Sequence, residues 1–233
     1  MPTAVVLQPS YVPWRGYFHL IQRADVFVFS DDVQYDKHGW RNRNRIKTAQ
    51  GTQWLTIPVL SRGNVEDGLL LGDVRTAERP DWAKKHAATL RGSYAKAPCF
   101  AEIWGEVGRF WEARTELLVD LTIPLTIALA RLLGIERTRF VRSSELGVGG
   151  GKTERLVNLV RHLGCDHYLS GPAAKDYLDE AAFEAAGIRL EYAAYDYPEY
   201  PQLHPPYDAR VSVLDLLFME GRRAGRFIWG DAA

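Results

Sequence analysis

The order of apolar and polar segments in this 233-residue chain predicts an α/β fold built on a mostly parallel sheet. Residues 4–7 form an apolar run typical of a short buried strand, residues 16–23 have helical spacing, and residues 25–29 are a second apolar run. A strand, a helix and a second strand in that order are the usual start of a parallel sheet. The same alternation returns later in the chain, at residues 140–144, 152–163, 167–170, 181–186 and 188–192.

A hairpin and a helical segment are predicted between these two regions. Residues 43–47 and 53–60 have the character of two strands around a turn at Gln50 and Gly51. Proline and glycine residues then delimit apolar runs with helical spacing. These runs are residues 81–94, residues 100–118 and a third run that ends at residue 133. The expected fold is therefore α/β with an inserted hairpin and a central helical segment.

The length and composition are those of a globular protein with ample core. Apolar residues make up 46% of the chain and charged residues 25%, which is ordinary for this class. We expect a single α/β domain over residues 1–233, with residues 79–134 as a helical insertion or subdomain. The formal net charge is zero, so no general nucleic-acid-binding or membrane surface is indicated, and nucleic acid is not an expected partner.

The sequence indicates a cytoplasmic protein without a membrane span. Its two cysteines, Cys99 and Cys165, do not make the framework of a disulfide-rich secreted domain. The first residues carry neither the basic start nor the long apolar core of a signal peptide. The most apolar long stretch, residues 117–133, is interrupted by charged residues and by Pro124, so it fits a buried helix.

Residues 30–46 hold the densest group of side chains with binding chemistry. Acidic, amide, cationic and aromatic residues follow directly on the apolar run at residues 26–29. Arginine presents a rigid fork that suits carboxylate or phosphate, and asparagine both donates and accepts. The segment predicts a site for a small, polar, anionic ligand. The alternative is a solvated hairpin whose Arg and Asn side chains alternate outward, and on an extended segment only one of Asp31 and Asp32 faces a pocket.

A second candidate segment follows the predicted strand at residues 167–170. Ligands of open α/β sheets bind at the carboxyl ends of strands, and Gly171 lets the backbone approach a ligand closely. Lys175 can pair with a phosphate or carboxylate, and Asp176 can act as a base or hold Lys175. The alternative is a tight turn with a surface ion pair.

Two further segments carry weaker indications. Residues 147–153 are glycine-rich but lack the first glycine of the P-loop pattern, which favours a flexible linker into a capped helix over a nucleotide site. Residues 192–207 carry five tyrosines and four prolines and fit a stiff wall or lid over the sheet end, or a loop packed on the surface. No metal site is indicated, because the histidines are scattered and neither HExxH nor CxxC occurs.

Six segments, in order over nearly the whole chain, carry a resemblance to a known family. They are QPSYVPWRGYFHLI at residues 8–21, DDVQY at 31–35, GWRNRNRI at 39–46, WLTIPV at 54–59, SGPAAKDYL at 170–178 and SVLDLLF at 212–218. On these segments the chain resembles the WbqC-like family, which is associated with O-antigen, other polysaccharide and secondary-metabolite biosynthesis. The resemblance implies a biosynthetic transferase that forms an amide by moving an acyl or aminoacyl group from a thioester donor to an amine acceptor such as an amino sugar.

The chain departs from this family's pattern at several positions. His19, His38 and Cys165 stand where the pattern is expected to vary, which argues against them as shared catalytic groups. Met-Glu-Gly at residues 219–221 replaces an Asn-Cys-Gly-like ending. The thioester donor implied by the resemblance is carried by an acyl carrier protein or by coenzyme A, which makes a carrier protein a candidate partner besides the small-molecule substrate.

The first 29 residues also resemble the start of nucleotidyltransferase-like enzymes such as pantothenate synthetase, and this likeness implies a Rossmann-like sheet. In those enzymes a His-x-Gly-His loop binds ATP, whereas here Gly16 is retained without the paired histidines. Two alternatives to the transferase therefore stay open. One is a nucleotide-using enzyme, either a nucleotidyltransferase or an adenylate-forming ligase, and the other is a non-catalytic glycan or nucleotide-sugar binder.

The transferase interpretation assigns roles to the polar residues of these segments. Amide formation needs a base for the amine and donors for the oxyanion. We expect Asp32 or Asp176 to be the base and Lys175 to be a further catalytic residue. The residues expected to bind substrate are Gln8, Tyr11, Tyr17, Asp31, Gln34, Lys37, Trp40, Arg41, Asn42, Arg43, Asn44, Ser170, Gly171, Tyr177 and Gln202.

Overall fold

The computed structural model describes residues 1–60, 68–112 and 114–230. The strands are β1 (Thr3–Leu7), β2 (Val26–Phe29), β3 (Arg43–Thr48), β4 (Gly51–Thr56), β5 (Val59–Leu60), β6 (Arg75–Thr76), β7 (Arg139–Arg142), β8 (His167–Ser170) and β9 (Arg189–Tyr192). The helices are α1 (Arg15–Gln22), α2 (Trp82–Tyr94), α3 (Phe100–Val107), α4 (Leu118–Leu132), α5 (Lys152–His162), α6 (Glu180–Ala185), α7 (Val213–Glu220) and α8 (Arg226–Trp229).

Five of the strands form a parallel sheet in the order β7-β2-β1-β8-β9. Leu7 at the end of β1 lies opposite Phe29 at the end of β2, so both strands end at the same edge. The chain builds one half of the sheet outward from β1 to β7 and then crosses to β8 on the other side of β1. This order is that of a Rossmann-like sheet, and the predicted α/β fold is confirmed.

The central strands are apolar throughout because helices cover both faces of the sheet. Val5 and Phe27 point to one face, where they share a core with α1 and with α2 to α4. Ala4 and Val28 point to the opposite face, where α5 and α6 pack. The alternation of side chains along each strand assigns every second residue to the same core.

The hairpin is formed by β3 and β4, which pair antiparallel with Arg45 opposite Trp54. The second strand ends at Thr56, earlier than the predicted residue 60, and Pro58 follows it. Proline cannot donate to a sheet ladder, so the chain leaves the pairing here, and β5 pairs with β6 instead.

The single helix expected over residues 100–118 is contradicted by the structure. The helix α3 ends at Val107 and a 3₁₀ turn continues to Trp111. The ring of Trp104 stacks on Trp111 with 5.5 Å between centroids and lies 2.7 Å from where a Cβ at Gly108 would stand. Glycine at this position therefore lets the chain pack directly against the ring. The helices α7 and α8 were not predicted from sequence.

Candidate functional site

A cavity of about 420 Å³ opens at the carboxyl edge of the sheet, beside the end of β1. Leu7 lines this cavity. Tyr195, which follows β9, also lines it, and the Tyr195 hydroxyl lies next to Gly171, directly after β8. The cavity therefore lies where the strand order reverses between β1 and β8, the usual ligand position in open α/β sheets. Its volume is within the range of small-molecule sites.

Three arginines and four aromatic rings form most of the cavity wall. They are Arg41, Arg45 and Arg210, with Trp14, Tyr17, Trp40 and Tyr195. The remaining lining residues are Leu7, Ser10, Pro13 and Asn44. No acidic side chain contributes to this lining within the described ranges, so the cavity presents positive charge framed by rings.

Arg41 is mostly buried and has no carboxylate partner within 4 Å in the part of the chain that the structure describes. Its Nη1 donates to the carbonyl of Gln8 at 3.1 Å and to Ser10 Oγ at 2.8 Å, which fixes the guanidinium against the loop after β1. Its Nε is buried without a hydrogen-bond partner among the described residues. Burial lowers the pKa of the Arg41 guanidinium, although arginine stays charged in proteins. A buried cation in this state favours binding of an anion.

Arg45 and Arg210 differ in how their charges are compensated. Arg45 lies over the rings of Trp40 and Trp54, at 5.8 and 5.7 Å, and its Nε is buried without a partner among the described residues. Arg210 is exposed and its Nε lies 3.3 Å from Asp208 Oδ1. Asp208 therefore pairs directly with Arg210, whereas Arg45 lacks such a direct pair among the described residues and adds to the positive charge of the cavity.

The aromatic wall is held in place from behind by Arg15, the first residue of α1. Arg15 is buried and donates to the carbonyl of Pro198 and to Tyr207 Oη, both at 2.8 Å. These bonds tie the tyrosine-rich segment, residues 192–207, to the start of α1. Tyr195 meets Trp14 edge to face at 5.0 Å.

The position of Trp14 depends on Gly16. A Cβ at Gly16 would stand 2.3 Å from the Trp14 ring, so only glycine lets the ring fold back over the first turn of α1.

Several residues predicted to bind substrate make hydrogen bonds that hold the loop after β1. Asn44 Nδ2 donates to the carbonyl of Val12 at 2.9 Å, where the backbone has a φ of +40°. Tyr11 Oη accepts from Trp111 Nε1 at 2.7 Å, and Tyr17 Oη donates to the carbonyl of Gln8 at 3.1 Å. Of these residues Asn44 and Tyr17 also line the cavity, because the loop and the hairpin meet there.

Asp31 lies outside this cavity, at the end of β2, and is fully buried. Its carboxylate accepts from Arg142 Nε at 2.7 Å, from Ser144 N at 3.0 Å and from Ser144 Oγ at 2.8 Å. Burial raises the pKa of the Asp31 carboxyl, but the hydrogen bonds from Ser144 and Arg142 outweigh it and hold the pKa below the ordinary value. Asp31 therefore joins the ends of β2 and β7 as a fully bonded anion.

Asp32 is the neighbouring acid, and the Ser143 hydroxyl lies within hydrogen-bond distance of both carboxylates. The Asp32 carboxylate accepts from Arg155 Nη2 at 2.5 Å and from Ser143 Oγ. Arg155 lines a second cavity of about 460 Å³ at the same edge of the sheet. The other residues that line this second cavity are Ser30, Val33, Lys152, Thr153, Leu156, Tyr177 and Leu178.

The remaining predicted residues are spread over the surface near the two cavities. Lys175 and Asp176 are exposed, and Lys175 Nζ lies 5.2 Å above the ring of Tyr192. Gln34 and Lys37 are exposed, and Ser170 is buried at the end of β8. Asn42 donates to the carbonyl of Ile57, and Arg43 donates to the carbonyl of His38. Gln202 donates to Tyr200 Oη.

The predicted residues thus divide between the cavities and other places. Tyr17, Trp40, Arg41 and Asn44 come together in the first cavity, and Tyr177 lines the second. The predicted residues that line neither cavity include Asp31, Asp32, Lys175 and Asp176.

Other residues of the two cavities were not predicted from sequence. Trp14, Arg45 and Tyr195 lie in segments that the sequence pointed to, so composition gave a signal without the orientation. Arg142 and Arg155, the partners of the two aspartates, gave no signal, because their role depends on which strands are neighbours.

The fold and the first cavity define an α/β protein with a cationic, aromatic-lined site at the reversal point of a parallel sheet. A family model described as the WbqC-like protein family matches residues 8–227, and the chain belongs to this family. It is 41% identical over 235 residues to the uncharacterized protein Rv1507c of Mycobacterium tuberculosis, with 98% of each chain covered. No solved structure gives a significant match.

Within residues 1–60, 68–112 and 114–230, no group of three or more His, Cys, Asp or Glu side chains is arranged to hold a metal ion. In the same ranges no helix has the length and apolar character that a bilayer crossing requires.

Proposed function

We propose that the protein is a biosynthetic transferase that forms an amide by moving an acyl or aminoacyl group from a thioester donor to an amine acceptor such as an amino sugar. The observation that carries this proposal is the adjacency of the two cavities. Leu7 lines the first and Ser30 the second, and the Ser30 N–H donates to the Leu7 carbonyl at 2.8 Å. A group transfer needs two substrates close together, and cavities at the ends of two neighbouring strands support such an arrangement.

The charges divide the two cavities between the substrates. The first cavity, with Arg41 and Arg45, suits the anionic carrier portion of a donor. The second cavity is lined by Lys152 and Arg155, and the Asp32 carboxylate, which is not part of its lining, is paired with Arg155 at 2.5 Å. We assign this carboxylate as the group that attracts the amine. We therefore assign the donor to the first cavity and the acceptor to the second.

The chemistry assigned to this site is nucleophilic attack by the amine. The amine nitrogen bonds to the thioester carbonyl carbon, the C–S bond breaks, and the thiolate leaves with the electron pair of that bond. The proton lost by the amine passes to the carboxylate of Asp32, which Arg155 and Ser143 orient. Asp32 then releases this proton to solvent, and the thiolate takes up a proton from solvent, which restores the base.

A transfer assay tests the proposal directly. A panel of acyl and aminoacyl thioesters of coenzyme A and pantetheine is incubated with amino sugars, and with hydroxylamine as a small substitute amine. Amide or hydroxamate is detected by mass spectrometry. We expect Asp32→Asn to lower kcat by about a hundredfold, the usual contribution of a positioned base. Asp176→Asn is the comparison variant, because this other candidate base is exposed, whereas Asp32 is held by Arg155 beside the second cavity. Equal turnover of the two variants would remove Asp32 from the mechanism.

A nucleotide-using enzyme, either a nucleotidyltransferase or an adenylate-forming ligase, is the second candidate. It is favoured by the β7-β2-β1-β8-β9 order with a cavity at its reversal point, where doubly wound sheets bind nucleotides. A thermal-shift screen with ATP–magnesium, coenzyme A thioesters and nucleotide-linked amino sugars separates the candidates, because a ligand of the folded state raises the Tm. A shift with ATP–magnesium alone, together with release of pyrophosphate, would replace the transferase by this second candidate.

A further inference from the structure

We infer that the first cavity binds a nucleoside diphosphate group, with the diphosphate on Arg41 and Arg45 and the base stacked on Trp40. This inference rests on the proposed function and names the chemistry of the anionic ligand. Two sources carry this group: the nucleotide end of coenzyme A and a nucleotide-linked sugar. The inference concerns the diphosphate and the base that both sources share, and the experiment separates the two sources.

The charge of the cavity calls for more than one negative charge on the ligand. Arg41 and Arg45 both line it, both have a buried Nε without a partner, and neither has a carboxylate within 4 Å among the described residues. Two arginines in this state match the separate negative charges of a diphosphate better than the single charge of a carboxylate, and a guanidinium can give each phosphate two parallel hydrogen bonds.

The aromatic residues of the cavity differ in how much ring surface is free. Trp14 is covered by Tyr195 and Tyr197, with centroids at 5.0 and 6.2 Å. Trp40 is 45% exposed, although it packs on Trp54 at 5.2 Å. Trp40 thus combines an open ring surface with a place in the cavity wall, as a base-stacking platform requires.

Trp40 and Trp54 form a pair of tryptophans that are both exposed. Trp54 is 44% exposed, so the pair leaves a large apolar surface in water next to two arginines. Arg43 extends this surface, with its guanidinium 4.9 Å from the Trp54 ring centroid. An exposed apolar surface with adjacent cations fits a ligand that has a flat ring and phosphates.

Isothermal titration calorimetry with the whole protein tests this inference. The ligands are ADP, UDP, coenzyme A and UDP-N-acetylglucosamine, with adenosine, uridine and inorganic pyrophosphate as fragments. We expect one or more of the four diphosphates to bind, and its nucleoside and pyrophosphate fragments to bind at least about tenfold more weakly, because each fragment loses either the charges or the ring.

Variants assign the contacts. Arg41→Gln is expected to weaken binding of the best diphosphate at least about tenfold, and Arg41→Lys to restore only part of it because lysine lacks the planar fork. Trp40→Ala is expected to weaken the diphosphate about tenfold while leaving pyrophosphate unchanged, since stacking involves only the base. Arg139→Gln is the matched control: it removes the same charge from an exposed position at the start of β7, on the opposite edge of the sheet. Circular dichroism and Tm confirm that each variant is folded.

The outcomes separate this inference from the proposed function. No binding by any diphosphate, equal effects of Arg41→Gln and Arg139→Gln, or pyrophosphate as tight as the full diphosphate would each overturn the inference. Transfer from an acyl-pantetheine, which has no nucleotide, would still support the transferase in that case. Tightest binding of coenzyme A identifies the donor as the source, and tightest binding of UDP-N-acetylglucosamine identifies a nucleotide-linked sugar.

Discussion

Two groups of charged residues lie at the carboxyl edge of the sheet, and they differ in how their charges are compensated. Around Asp31 and Asp32 each carboxylate has an arginine at 2.7 Å or less and at least one serine donor. Around Arg41 and Arg45 no carboxylate of the described residues completes such a pair. The charges of the first group are therefore compensated within the protein, while the second group retains unused binding capacity for an anionic ligand.

This difference predicts the largest loss of stability at Asp31. Asp31→Ala leaves Arg142 and the Ser144 donors without their shared acceptor, and we expect the free energy of unfolding to fall by about 3 kcal/mol. Urea denaturation followed by circular dichroism measures the change. Asp176→Ala removes an exposed acid and is expected to change the same quantity by less than about 0.5 kcal/mol. Similar losses in the two variants would show that Asp31 is not a structural residue.

The pH dependence of stability gives a second, smaller effect at the same residue. The Asp31 carboxyl has a pKa below its ordinary value of 3.8, so the folded protein binds this proton less readily than the unfolded chain. Its contribution to stability is therefore complete above that ordinary value and is lost as the pH falls through the folded-state pKa.

Comparison of the wild type with Asp31→Asn isolates this effect, since asparagine does not titrate. We expect the difference in unfolding free energy to be constant from about pH 7 to about pH 5 and to shrink below about pH 4. A difference that stays constant down to about pH 3 would contradict the depressed pKa.

The smallest effect on the free energy of unfolding is expected at Arg41, and this effect is not a loss. Arg41→Gln removes a buried charge that lacks a carboxylate partner, and glutamine can still donate to Gln8 or Ser10. We expect the unfolding free energy of the ligand-free protein to be unchanged or to rise by up to about 1 kcal/mol. Arg155→Gln, which leaves Asp32 without its cation, is the comparison and is expected to lower it. A loss at Arg41 as large as that at Arg155 would show that Arg41 serves the fold.

The sequence predicted the sheet because its pattern is local. The apolar runs that became β1 and β2, with helical spacing between them, are enough to identify the start of a parallel sheet. Over residues 100–118 the same periodicity misled, since Gly108 and the stacked rings of Trp104 and Trp111 turn the chain where the apolar spacing continues. Local pattern identifies the type of an element more reliably than its end.

The candidate site was only partly accessible from sequence. The cluster at residues 30–46 was identified by composition, and Arg41 stood among the predicted residues. The loop at residues 8–14 entered through the family resemblance of residues 8–21. Strand alternation places Arg43 and Arg45 on one face, opposite to Asn44, but it does not show which of the two arginines meets the cavity. Arg45 lines it, whereas Arg43 bonds to the loop carbonyl of His38.

The sequence by itself determined the class of fold, the family and the segments in which binding chemistry is concentrated, because these depend on residue type and short-range spacing. The tertiary structure decided which charges are paired. Asp31 meets Arg142 across 111 positions of the chain, and Tyr195 reaches Trp14 from beyond β9. Such pairings depend on the order of strands in the sheet, and that order is set by packing over the whole chain rather than by any local pattern.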